Sequence, residues 1–141
     1  PLIIAGDAPF VTDFAENIKK EAAGDKRIHF IGFVKGMELQ ELYSNARLFV
    51  FPSEAEGMPM CLLEALSYNT PCLVSDIPEN TEVGKEYVTT FKSKDVDDLV
   101  QKMKEFLSES YSQKVDSRSY IKKYYDWDSV VQKTLEVYKN K

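Results

Sequence analysis

Two glutamates, Glu56 and Glu64, stand eight positions apart in EGMPMCLLEAL, directly after the apolar run RLFVFPS. An ionised carboxylate carries two oxygens that only accept hydrogen bonds, so each can take a pair of vicinal hydroxyls. Between them, Gly57 admits backbone conformations closed to other residues, and Pro59 suits the first turn of a helix, where its missing N–H costs little. The free N–H groups of such a helix start, those of Met60 and Cys61 among others, can meet a phosphate at the positive end of the helix dipole. Two carboxylates around an anion-binding helix start make a grip for a ligand that carries both sugar hydroxyls and phosphate. Glu64 among Leu62, Leu63, Ala65 and Leu66 also fits a plainer role. A glutamate early in a helix favours the dipole even when it only faces solvent.

Other reactive residue types are sparse. His29 is the single histidine and lies inside the alternating run RIHFIGF, a structural or solvent-facing place. No Cys/His cluster has zinc-ligand spacing, and no GxxxxGK loop is present for a nucleoside triphosphate. Asp76, Glu79 and Glu82 could hold a divalent ion, but they fall in the turn-rich DIPENTEVGK, where acids are usually solvated. Ser75, at a strand end, reads as a cap for the next turn, and Lys35 as an exposed cation. Cys61 and Cys72, in MCLLEA and TPCLVS, read as two buried, reduced thiols rather than a disulfide.

The elements that must position the glutamates follow from hydrophobic periodicity. LIIAG, closed by Gly6, Asp7, Ala8 and Pro9, reads as a strand buried on both faces. A polar helix is expected from about Phe10 to Ala23, then the strand RIHFIGF. From Gly36 a helix presents Met37, Leu39, Leu42, Tyr43 and Ala46 on one face. RLFVF, TPCLVS and EYVTTF are further strands, with the helix CLLEALSY after the first of them. Strand and helix alternate, which predicts a doubly wound, mainly parallel α/β sheet over about residues 1–110. Ligands of such sheets bind at strand-to-helix corners, where Glu56 and Glu64 fall. Residues 111–141 are assigned to C-terminal helices that pack on this domain or reach toward an N-terminal domain. The stripes Val96, Leu99, Val100, Met103, Phe106, Leu107 and Trp127, Val130, Val131, Leu135, Tyr138 are expected to pack on the sheet; a membrane-surface role for the segment around Lys122 and Lys123 is the alternative.

The 141 residues, 43% hydrophobic, suffice for one core. The formal charge of -5 leaves no basic stripe, which argues against a nucleic-acid partner. No apolar run approaches the roughly 20 residues of a membrane span, and the expected location is cytoplasmic, or the cytoplasmic face of a membrane. Pro1 precedes its strand with no linker or cap, which suggests a piece of a longer protein.

PSEAEGMPMCLLEALSYNTPCLVSDIPENTEVG resembles, almost position by position, the signature of the retaining GT-B glycosyltransferases of the group 1 type. FIGFV and ELYSNARLFVFPS match the same family's second strand and third helix-strand unit, and the resemblance extends from Leu2 to about Val83 and more loosely to the Trp127 region. It implies the Rossmann-like, donor-binding half of a GT-B enzyme that transfers a sugar from a nucleotide-diphosphate sugar with retention of anomeric configuration. Glu56 would bind the donor sugar and stabilise charge near the anomeric carbon, and Glu64 would bind the ribose. Backbone N–H groups of Gly57, Met58, Met60 and Cys61 would serve sugar and diphosphate. Phe33 and Val34 would frame the base, with Gly6 near the same crevice. No metal or other cofactor is implied; the partners are the nucleotide-sugar donor and an N-terminal acceptor domain, with peripheral membrane association of the parent a further expectation.

Two departures matter. The family has Gly-Phe-Gly after the first glutamate, whereas Gly57-Met58-Pro59 stands here and removes one donor. The family's basic pair that clamps the diphosphate lies before the strand with which this sequence starts. The 141 residues are therefore expected to bind nucleotide sugars weakly and to transfer nothing alone. Two rivals stay open: a flavodoxin-like regulatory module, although RLFVFPS ends without an aspartate, and a GT-B protein that is not a transferase, such as a sugar-nucleotide epimerase.

Overall fold

The computed structural model describes residues 1–6, 12–108 and 116–139. The chain forms two compact units, residues 1–41 and 42–141. In the first, β1 (Leu2–Ala5) and β2 (Ile28–Gly32) pair in parallel from Leu2 opposite Ile28 to Ala5 opposite Gly32, with α1 (Thr12–Ala22) between them in sequence. The turn Asp7, Ala8, Pro9 and the expected helix start at Phe10 lie outside the described residues. β1 differs from expectation: Leu2 and Ile3 are 45% and 40% exposed. A four-residue apolar run records a preference for burial but not whether both faces find cover.

Helix α2 (Gly36–Asn45) spans the boundary between the units. The second unit continues with β3 (Phe49–Phe51), α3 (Met60–Ser67), β4 (Cys72–Ser75), α4 (Pro78–Gly84), a 3-10 turn at Lys85–Tyr87 and β5 (Thr89–Phe91). Then come α5 (Val96–Leu107), α6 (Ser117–Tyr124) and α7 (Trp127–Lys139). β3, β4 and β5 form a parallel sheet in that order, with Phe49 opposite Cys72 and Leu73 opposite Thr89. All four residues of the central β4 are buried. A strand flanked on both edges and covered on both faces needs the unbroken apolar run that Cys72, Leu73 and Val74 supply.

The core closes where Leu73 and Phe91 meet Phe106 of α5, with Leu48, Leu99 and Met103 packed around them. Helix α5 starts where Asp95 accepts from the Asp98 N–H at 3.0 Å, an N-cap that satisfies one of the helix's orphan donors. Its stripe is narrower than the sequence suggests, since Val96, Val100 and Leu107 stay exposed. Leu62, Ala65 and Leu66 of α3 are fully buried. At its C-terminus the Asn69 backbone turns to φ 57°, and the Thr70 N–H bonds the Ala65 carbonyl at 3.2 Å.

Three segments correct the sequence reading. DIPENTEVGK, expected as turns, contains α4; Pro78 opens the helix and Glu79 occupies its first turn, both favoured there. The expected strand EYVTTF begins only at Thr89, because Lys85–Tyr87 form the 3-10 turn. The boundary placed at residue 110 lies outside the described residues, while α6 beyond it docks on α3: the Ser117 hydroxyl donates to the Leu66 carbonyl at 2.7 Å, and the Arg118 Nε to that of Ser67 at 2.9 Å. Tyr120 of α6 is buried and donates to the Val83 carbonyl at 2.9 Å, with Lys85 over its ring. Lys123, for which a membrane surface is the alternative reading, lies 5.0 Å from the Tyr124 ring centre. Helix α7 does not pack its stripe: every residue from Trp127 to Lys139 is exposed.

Candidate functional site

Glu56 lies in the loop between β3 and α3, at the carboxyl edge of the parallel sheet. The Ser53 hydroxyl donates to its Oε1 at 2.6 Å, and Glu56 is half-buried. Glu64 sits on the second turn of α3, also half-buried, and its Oε2 accepts from the Tyr43 hydroxyl at 3.1 Å. Tyr43 comes from α2 and is fixed by stacking on Tyr68 and by an edge contact with Phe49. Each carboxylate is therefore held at one oxygen by a hydroxyl.

Cys61 stands on the first turn of α3, between Glu56 and Glu64 in sequence. Partial burial first, then the Glu64 carboxylate, and more weakly that of Glu56, push its thiol above the ordinary value. Both carboxylates disfavour the charged thiolate, as like charges do. Cys61 is not the buried residue expected; it is exposed on the first turn, with its sulfur turned to the Tyr43 hydroxyl. Burial and the neighbouring anions also hold the Tyr43 hydroxyl far above its usual range, so it stays a donor.

The helix start itself is buried at Pro59 and open elsewhere. Pro59 occupies the N-cap with no side-chain cap, and the first turn of α3 carries no acid. The Leu62 and Leu63 N–H groups turn to the Pro59 carbonyl, and the Met60 N–H bonds the Met58 carbonyl at 2.8 Å. The Met60 N–H is thus not free for a phosphate, a correction that follows from the tight turn Pro59 imposes. Among the described residues, the N–H groups of Gly57, Met58 and Cys61 have no backbone acceptor. The Met58 and Met60 side chains are about half exposed.

Gly6, Phe33 and Val34 belong to the first unit. The Gly6 N–H bonds the Gly32 carbonyl at 2.7 Å, which brings Gly6 to the end of β2, next to Phe33 and Val34. Gly6 has φ 120°, a conformation that strains any residue with a Cβ. Phe33 is 78% exposed.

Sequence reasoning missed the hydroxyls. Tyr43 was read as part of an apolar helix face; the signal was its phenol, which needs a partner when buried. Ser53 and Asn80 carried no recognisable signal. Ser75, read as a turn cap, instead donates to the Ser53 carbonyl. Asp76 accepts from the Ser93 N–H at 2.8 Å, and among the described residues no group of three acidic, histidine or cysteine side chains could hold a metal ion. No helix among them is long and apolar enough to cross a membrane.

The family model of Glycosyl transferases group 1 matches residues 1–126. The phosphatidylinositol N-acetylglucosaminyltransferase GPI3 subunit of Saccharomyces cerevisiae is 28% identical over 142 residues, covering 98% of this chain and 31% of that protein. The O-antigen chain mannosyltransferase B of Escherichia coli is 27% identical over 141 residues, covering 99% of this chain and 37% of that one. The chain thus spans about a third of the length of these relatives. Among solved structures, Anabaena HepE in complex with UDP and glucose superposes with a TM-score of 0.86 at 16% identity, over 99% of this chain and 40% of that one. Sucrose-phosphate synthase from Thermosynechococcus elongatus gives 0.84 at 19%, over 99% and 38%.

Proposed function

Because the chain belongs to the group 1 glycosyl transferases, we propose that it holds the nucleotide-diphosphate sugar donor of a retaining transferase, at the start of α3. The observation that carries this reading is the pair of half-buried carboxylates, Glu56 and Glu64, around an uncapped, acid-free helix start. Glu64, with Tyr43 on one oxygen, keeps the other for the ribose hydroxyls. Glu56, held through Ser53, accepts from the donor sugar and faces the positive charge that develops at the anomeric carbon. The N–H groups of Gly57, Met58 and Cys61 meet the diphosphate and sugar.

In the transfer, the bond from the anomeric carbon to the diphosphate oxygen breaks, its electron pair leaving with the diphosphate. The acceptor oxygen bonds that carbon on the same face, and its proton passes to the departing diphosphate. Donors aimed at the departing diphosphate carry most of the rate enhancement in this reading, which needs no metal. The bound UDP and glucose of Anabaena HepE support such a donor. Acceptor binding, and therefore turnover, lies with residues beyond these 141 in the same proposal. So does a cytoplasmic parent resting on a membrane surface, which the phosphatidylinositol in the yeast relative's name supports.

Calorimetric titration of the protein with UDP-, GDP- and ADP-sugars tests this. One series binds, weakly because the chain's net charge of -5 opposes an anion. Glu64→Ala weakens that binding by about 10- to 100-fold, the worth of hydrogen bonds to a charged group. Equal binding by both proteins removes Glu64 from the site.

A further inference from the structure

We propose that Ser75 and Asn80 are positioning residues for Glu56, acting through Ser53; the inference rests on Glu56 contacting the donor sugar. Asn80 is fully buried on α4, and its Nδ2 donates to the Ser75 carbonyl at 3.2 Å and to the Ser75 Oγ at 3.0 Å. The carbonyl can only accept, so the amide orientation is fixed: Nδ2 must face it, and Oδ1 points the other way. Oδ1 finds no partner among the described residues. An apolar side chain would fill the same space without leaving an acceptor unsatisfied, so what the amide supplies is its two donations.

Those donations set the direction of every proton that follows. The Ser75 Oγ receives an N–H from Asn80, so its own proton goes outward, to the Ser53 carbonyl. Ser75 is itself 1% exposed, so water does not compete for that proton. The carbonyl of Ser53 is thereby anchored where the chain leaves β3 toward the site. With the peptide of Ser53 fixed, its hydroxyl is aimed at the Oε1 of Glu56 at 2.6 Å; the alternative acceptor, the Ala55 carbonyl, is farther at 3.2 Å. The chain of groups begins in the core and ends on a carboxylate whose second oxygen has no partner among the described residues. Its effect is to order the Glu56 side chain before ligand arrives, so that less rotamer freedom is lost on binding.

The readout is the gain in affinity that the sugar adds: binding of UDP-glucose against UDP, and of GDP-mannose against GDP. A general loss of structure lowers both members of a pair, whereas a misplaced Glu56 lowers only the sugar-bearing one. Ser75→Ala and Ser53→Ala each reduce the sugar's gain by about 3- to 10-fold, the cost of ordering one side chain, with nucleoside diphosphate affinity unchanged. Asn80→Ala does the same where it folds, and Ser75→Ala supplies the test where it does not. On a Glu56→Ala background, Ser75→Ala has no further effect on the gain. If Glu56→Ala abolishes the gain while Ser75→Ala and Ser53→Ala leave it intact, the positioning role is overturned and the donor reading stands. Equal losses for both members of a pair also overturn it. If Glu56→Ala leaves the gain unchanged, Glu56 does not contact the sugar and both readings fall.

Discussion

Cys72 shows how one buried side chain couples the fold to solution conditions. Its thiol donates to the Thr70 carbonyl at 3.1 Å inside β4, and burial pushes it from its ordinary 9.0 up to about 12. Below pH 9 the thiol is protonated in folded and unfolded chains alike, so its contribution to stability is complete. Above pH 9 the unfolded chain sheds the proton and the folded chain cannot follow until about pH 12, so stability falls as pH rises through that window. One unit into it the loss is about 1.4 kcal/mol. Burial likewise holds the Tyr43 and Tyr120 hydroxyls above their ordinary 10.0, which adds loss in the same direction at higher pH. Urea melts at pH 8 and pH 10 therefore show a drop that is about 1 kcal/mol smaller in Cys72→Ala than in the parent; equal drops would mean that the thiol ionises freely in the folded chain. The sequence made Cys72 legible because its neighbours are apolar on both sides. It misplaced Cys61, whose neighbours are equally apolar, because a helix turns one residue in its first turn outward regardless of what flanks it.

Among the elements, α3 is held at both ends, and only one end could be read in advance. Gly57 and Pro59 marked its start. Its C-terminus depends on α6, fifty residues on, whose Ser117 and Arg118 satisfy the carbonyls of Leu66 and Ser67. Asn69 completes the junction: its Oδ1 accepts from the Arg118 N–H at 2.8 Å while its own backbone stands at φ 57°. Asparagine tolerates that conformation and glycine adopts it freely, but alanine pays about 1–2 kcal/mol. Asn69→Gly thus loses the hydrogen bonds alone, about 1 kcal/mol, and Asn69→Ala about 2–3 kcal/mol. Denaturant unfolding at constant m-value measures both, and equal losses would show that the backbone strain is relieved elsewhere. Such a contact is invisible in sequence because no local pattern announces a partner at that distance. Helix α4 was hidden for the opposite reason: Pro78, Asn80 and Gly84 are turn formers by type, and only their order, proline first and glycine last, marks a helix.

At the scale of the whole chain, the alternation of strand and helix made the α/β class and its parallel pairings legible, and the run through PSEAEGMPMCLLEAL made the family legible. The compact units at residues 1–41 and 42–141 were not, because their boundary falls inside α2, where an unbroken helical pattern conceals it. The fate of α7 was misread for a related reason: periodicity shows that a helix has an apolar face but not what covers it. Trp127, Val130, Val131, Leu135 and Tyr138 are all exposed, and Asp126 caps the helix locally by accepting from the Ser129 N–H at 3.0 Å. A helix with a local cap and no buried residue contributes little to the stability of the rest. Truncation after Tyr125 therefore changes the melting temperature by no more than about 2 °C, the scale of a surface substitution in a chain of this size. The junction of α6 with α3 survives it, since Ser117, Arg118 and Tyr120 all precede the cut. A fall of about 10 °C in a calorimetric scan would mean instead that the apolar face of α7 is buried in solution and that its stripe belongs to the core after all.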